Sequence, residues 1–163
     1  MKVGIDPGLS GAIAFVDDDE IRIFDMPLID QSWSKGKKNK KGVLIKPQMV
    51  DSVRLHQIIK ACPKVIDSIT IEAVHTMPNQ GVASSGKFMG AFYTAIAVAR
   101  LFMEPKMAHP AVWKKKFGLI NMPKDASRLA VLKMYPELWP QLSRKKDCDR
   151  AEALMIAVSQ EGK

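Results

Sequence analysis

Three short apolar runs open the chain, and the residues between them leave little choice of fold. Val3 and Ile5 alternate with Gly4 and Asp6, the turn residues Pro7 to Gly11 follow, and Ala12 to Val16 form the second run. Asp17 to Asp19 make another turn before the third run, Ile21 to Phe24. Runs of this length and alternation read as β-strands, and connections this short join them into an antiparallel meander.

Residues 26–46 contain proline, glycine and many lysines with little periodicity, and they read as a basic mobile loop, centred on about 30–46. Pro47 sits where a first-turn proline is tolerated, and Met49, Val50, Val53, Ile58 and Ile59 mark a helix to about Ala61. Ile69 to Glu72 is a short buried strand, and residues 73–85 are a polar loop. An apolar helix over about Ser84 to Met103, a strand at Lys106 to Ala108 and a helical piece near Val112 to Phe117 follow. Two further helices cover Lys124 to Tyr135 and Asp147 to Ser159. The order β-β-β-α-β-α-β-α-α describes an α/β fold, one mixed five-stranded sheet flanked by helices. A length of 163 residues fits a single domain over 1–163, and 47% apolar with 26% charged residues argues against disorder. No apolar run approaches the ~18 residues needed to cross a bilayer. The early Asp6 speaks against a signal peptide, and two cysteines in no ligand spacing suit a reducing cytoplasm.

Twenty-five Lys and Arg against 17 Asp and Glu give a net charge of +8. On a domain this small, that charge suggests a polyanionic partner, because each neutralised phosphate releases a condensed counterion. The charge is clustered. Lys35, Lys37, Lys38, Lys40 and Lys41 share the segment KGKKNKKG, Lys114 to Lys116 form a second group, and Arg144 to Lys146 a third. Trp33 beside the first cluster is the candidate for base stacking, whereas Trp113 and Trp139 read as packing anchors.

The carboxylates are placed with equal economy. Period two puts Asp6 on the face of Gly4, at the end of the first strand, and Glu72 likewise ends its own strand. If those strands are parallel neighbours, both acids emerge at one sheet edge, where open α/β sheets place their sites. Each has a plainer reading, as a turn-initiating aspartate before Pro-Gly or as a solvated strand end. In the last helix Cys148, Ala151, Met155 and Val158 form an apolar stripe that directs Glu152 into an apolar sector, with Asp149 one turn earlier on the same flank. A buried glutamate needs a shared cation, a proton or a lysine partner. Four oxygen donors without Cys or His suit Mg²⁺ or Mn²⁺, and two such ions ~3.5–4 Å apart would serve phosphodiester cleavage.

The motifs GIDPGLSGAIAF, ITIEAVH and DCDRAEALMIA, in that order across nearly the whole chain, resemble the RuvC family of Holliday-junction resolvases within the RNase H-like superfamily. The resemblance implies an RNase H-like sheet and a divalent-metal endonuclease that works as a homodimer and nicks two strands of a four-way junction. It implies Asp6, Glu72, Asp149 and Glu152 as catalytic metal ligands, with Lys114, its neighbour Lys115 and Lys124 near basic positions that serve DNA. Departures from the pattern are Glu152 in place of the common aspartate, the inserted lysine segment 35–41, and His75 where the best-known bacterial member has an aromatic that enters the junction. Asp147 is a nearby acid that reads as a helix N-cap. Variation of this kind is familiar among bacteriophage members. The long helix, with Phe88, Met89, Phe92, Tyr93 and Ile96 on one face and Gly86, Gly90 and Thr94 on another, fits dimerisation. Competing readings are a broader branched-DNA or RNA–DNA hybrid nuclease and a non-catalytic DNA-binding module. An actin-like ATPase would need two such domains.

Overall fold

The computed structural model describes residues 1–74 and 81–160. In chain order the elements are β1 (Lys2–Asp6), β2 (Ala12–Val16), β3 (Ile21–Asp25), β4 (Leu28–Asp30), β5 (Lys37–Lys38), β6 (Leu44–Ile45), β7 (Gln48–Val50), α1 (Ser52–Lys60), β8 (Ser68–Glu72), α2 (Val82–Ala99), β9 (Lys106–Ala108), α3 (Pro110–Lys116), α4 (Ala126–Met134) and α5 (Cys148–Val158), with two short 3₁₀ turns between α4 and α5. The main sheet has five strands in the order β3-β2-β1-β8-β9. β1, β2 and β3 form the expected antiparallel meander, whereas β8 and β9 add in parallel, each reached through a helix.

Alternation along the strands divides the core in two. Val3, Ile5, Ile13, Phe15, Ile69 and Ile71 pack on one side against Leu55 and Ile59 of α1 and Phe92, Ala95 and Ala99 of α2. Ala12, Ala14 and Val16 face the other side, where α5 lies with Trp113 of α3 and Val131 of α4. The result is a helix–sheet–helix sandwich, the mixed α/β architecture the sequence predicts. No helix among the described residues is long and apolar enough to cross a membrane.

Three local expectations change. The segment 26–46 is an arm rather than an irregular loop: β4 pairs with β7 at its base and β5 with β6 near its tip. Asn39 organises that tip, its Oδ1 accepting from the backbone N–H groups of Lys41 and Val43 at 2.9 and 3.0 Å. Period-two alternation is too short in these strands of two or three residues to register. Helix α1 starts at Ser52, not near Pro47, because Asp51 caps it by accepting from the Arg54 N–H at 2.9 Å. Asp147 does stand at the N-cap position of α5, but its carboxylate turns back to the Arg144 backbone and guanidinium.

Helix α2 turns part of its apolar surface into the chain's own core. Of the apolar face expected to serve dimerisation, Phe92 belongs to the chain's own core and Met89 and Ile96 pack partly buried against it, while Gly86 and Gly90 of the second face are exposed. Val82 and Tyr93 stay exposed.

Candidate metal centre

Gly4 decides where α5 can lie. A Cβ at this position would collide with the Ala153 carbonyl and the Ala157 backbone nitrogen, and would come within 2.8 Å of the Ala157 Cα. The missing side chain, together with alanines at 153 and 157, lets the helix backbone rest directly on β1. From Gly4 to Asp6 the strand advances roughly 6.6 Å. From Ala153 back to Asp149 the helix advances roughly 6 Å. The two elements run in opposite directions, so this contact brings the first turn of α5 alongside the end of β1.

Asp6, Asp149 and Glu152 meet there, each offering a carboxylate oxygen within 4.8 Å of the others. Asp6 and Asp149 are buried and Glu152 is half-buried. Oxygen ligands on opposite sides of a Mg²⁺-to-Ca²⁺-sized ion stand about 4–5 Å apart. An all-carboxylate donor set on this scale fits a hard divalent cation, and the cluster can hold one.

The electrostatics point the same way. Burial, followed by the negative charge of Glu72, pushes the Asp6 carboxyl up to about 7, while the Gly8 N–H, donating to Oδ1 at 3.2 Å, pulls against the rise. Burial raises Glu152 as well, opposed by the Lys114 charge. Carboxylates so crowded gain from a cation. Two lysines stand at the cluster: Lys124 Nζ lies 2.7 Å from Asp149 Oδ1, and Lys114 Nζ 4.0 Å from Glu152 Oε1. Both also line a cleft of about 430 Å³ beside Glu152.

Glu72 occupies the expected edge but stands outside the three-acid group. The parallel register Gly4↔Thr70 and Ile5↔Ile71 carries it next to Asp6, as the sequence predicts for neighbouring strands. Its Oε1 accepts a 3.0 Å hydrogen bond from Trp113 Nε1. Burial raises its carboxyl, and the indole N–H lowers it. The sequence reads Trp113 as a packing anchor. It is fully buried, so its N–H required a partner, but nothing in the linear pattern pairs it with position 72.

The remaining expected site residues are dispersed. Lys35, Lys37, Lys38, Lys40 and Lys41 are exposed on the arm, and Lys115 is exposed on α3. His75 lies outside the described residues.

No protein-family model and no curated protein sequence matches the chain. Solved structures do. The RuvC of Thermus thermophilus matches twice at 14% identity over 96% of this chain and 90% of that one. The TM-scores are 0.55 for RuvC in complex with Holliday-junction substrate and 0.52 for a second RuvC structure. The chain has the RuvC-like fold. That likeness runs over 96% of the chain and so takes in the mixed five-stranded sheet and its flanking helices.

Proposed function

We propose that the protein is a divalent-metal-dependent endonuclease that cleaves Holliday junctions and related branched DNA by phosphodiester hydrolysis. The observation that carries this reading is the convergence of Asp6, from the first strand, with Asp149 and Glu152, from the last helix, within 4.8 Å in a chain of net charge +8. A basic body with a buried acidic pocket separates two tasks: lysines hold the polyanion while carboxylates hold ions.

In this reading Asp6, Asp149 and Glu152 hold Mg²⁺ or Mn²⁺, with Glu72 completing a site for two ions. Divalent ions in such a site activate a water and stabilise the leaving oxygen of the phosphodiester. Asp6 must give up its proton to serve as a ligand. Trp113 holds one Glu72 oxygen by its hydrogen bond and leaves the other to serve as a ligand. Lys124 and Lys114 exchange carboxylate partners for substrate phosphates, and Lys115 adds charge at the rim. The arm lysines 35, 37, 38, 40 and 41 hold DNA away from the cut. A homodimer would set two such centres about a twofold axis matching a four-way junction. Its setting would be the cytoplasm of a bacterial or phage-infected cell.

The test is cleavage of four-way, three-way, flap, linear duplex and RNA–DNA hybrid substrates with and without Mg²⁺. Metal-dependent cutting that favours the four-way junction is expected. Equal cutting of all substrates would move the assignment to a general nuclease, and binding without any cutting would leave a DNA-binding module.

A further inference from the structure

Away from the carboxylates, the arm and the outer side of α2 enclose two adjoining cavities of about 670 and 210 Å³. Leu9, Gln48 and Lys87 line both, so the two form one groove. Its larger end is lined by Lys37, Lys38, Lys46 and Lys87, and no acidic side chain lines either part. Among the described residues none of these four lysines is in an ion pair, whereas Lys114, Lys124 and Arg144 each sit against a carboxylate. Four unneutralised like charges around one cavity favour an anionic occupant.

The smaller end adds a different chemistry. Trp33 lines it at 72% exposure together with Gly86 and Gly90, where even a Cβ would meet only open space. A track of lysines beside an exposed indole suits unpaired nucleic acid: the charges follow the backbone, and the ring offers a stacking face to any base. A duplex keeps its base faces inside the stack and gives Trp33 no such contact. Leu9, which lines both parts of the groove, directly follows Gly8, whose N–H donates to Asp6.

We propose that this groove binds an unpaired DNA strand, with Trp33 stacking on a base and Lys37, Lys38, Lys46 and Lys87 following the phosphates. The inference rests on the nuclease reading for DNA as the ligand, and adds that the substrate presents a single-stranded segment.

The test uses the native chain in EDTA, with an oligothymidylate of about 16 nucleotides and a blunt duplex of equal length as anisotropy probes. The oligothymidylate should bind more tightly than the duplex. Trp33→Ala should weaken the single strand about tenfold and leave the duplex unchanged. Replacing all four lysines by glutamine should lower the slope of log K against log salt by about 3, at about 0.7 per phosphate contact. Losses equal for both probes, or absent for both, overturn the proposal. So does tryptophan emission that follows protein concentration rather than added oligonucleotide, which would give the groove to a second copy. Because binding is read without divalent ions, the outcomes separate: a chain that never cleaves but loses single-strand binding on Trp33→Ala keeps the groove and loses the nuclease, and a cleaving chain indifferent to these substitutions does the reverse.

Discussion

Trp113 Nε1 donates to Glu72 Oε1 across 3.0 Å, joining the interior of α3 to the end of β8. The indole is fully buried and the glutamate half-buried, and this bond leaves one glutamate oxygen directed by a rigid ring instead of a mobile chain. Trp113→Phe keeps an aromatic ring in the core and removes the donor. If Glu72 takes part in holding a divalent ion, affinity for Mn²⁺ should fall by about 10–100-fold, the usual effect of losing a partner that orients a ligand. Mn²⁺ titration followed by electron paramagnetic resonance reads this directly. Unchanged affinity would reduce Trp113 to packing.

Asp6→Asn separates function from stability. Cleavage should drop by more than about 100-fold, since a ligand itself is removed rather than its support. In EDTA, however, the variant should melt at a higher temperature than the native chain, because a charge crowded by Glu72, Asp149 and Glu152 disappears. Calorimetry beside a cleavage assay checks both, and a lower melting temperature would contradict the repulsion.

The same crowding sets a pH dependence. With its folded-state carboxyl near 7 and an unfolded value near 3.8, Asp6 binds more protons folded than unfolded between those limits. Its contribution is therefore complete below about pH 4 and is lost as pH rises through about 7, by roughly 4 kcal/mol. Glu72 and Glu152 shift in the same direction. Asp17, Asp25, Asp125 and Asp147, all lowered by basic partners, oppose this only in more acidic solution. Denaturant midpoints in EDTA should decline from pH 5 to about pH 8. Mg²⁺ should recover most of the loss at the upper end. A midpoint that climbs over this interval without metal would rule out the raised carboxyls.

Gly4→Ala tests how α5 is seated. The added methyl meets helix backbone rather than a yielding side chain, so the helix must lift from β1. The cost should reach the upper end of the ~1–3 kcal/mol typical of overpacking, or exceed it. Cation affinity should fall with it, because Asp149 and Glu152 move with the helix while Asp6 remains. Urea unfolding and Mn²⁺ titration measure the two effects, and a neutral substitution would show that α5 is held by other contacts.

Strand alternation in Val3 to Asp6 and Ile69 to Glu72 already fixes which face each acid takes, and the helical period does so for Asp149 and Glu152, since both repeats are local geometry. The meander follows from its short turns for the same reason. The arm and the Asp51 cap are not legible in the sequence, because strands of two or three residues carry no measurable period and Pro47 offers an equally good helix start. What no local rule contains is distance between segments far apart in the chain. Glycine at position 4 is one small residue until a helix 150 positions later rests on it; Trp113 is one more apolar ring until its N–H finds Glu72 across 41 residues. Those meetings depend on how the sheet orders its strands and how closely α5 packs on them, and they turn acids with unremarkable neighbours into a cluster that can hold a cation.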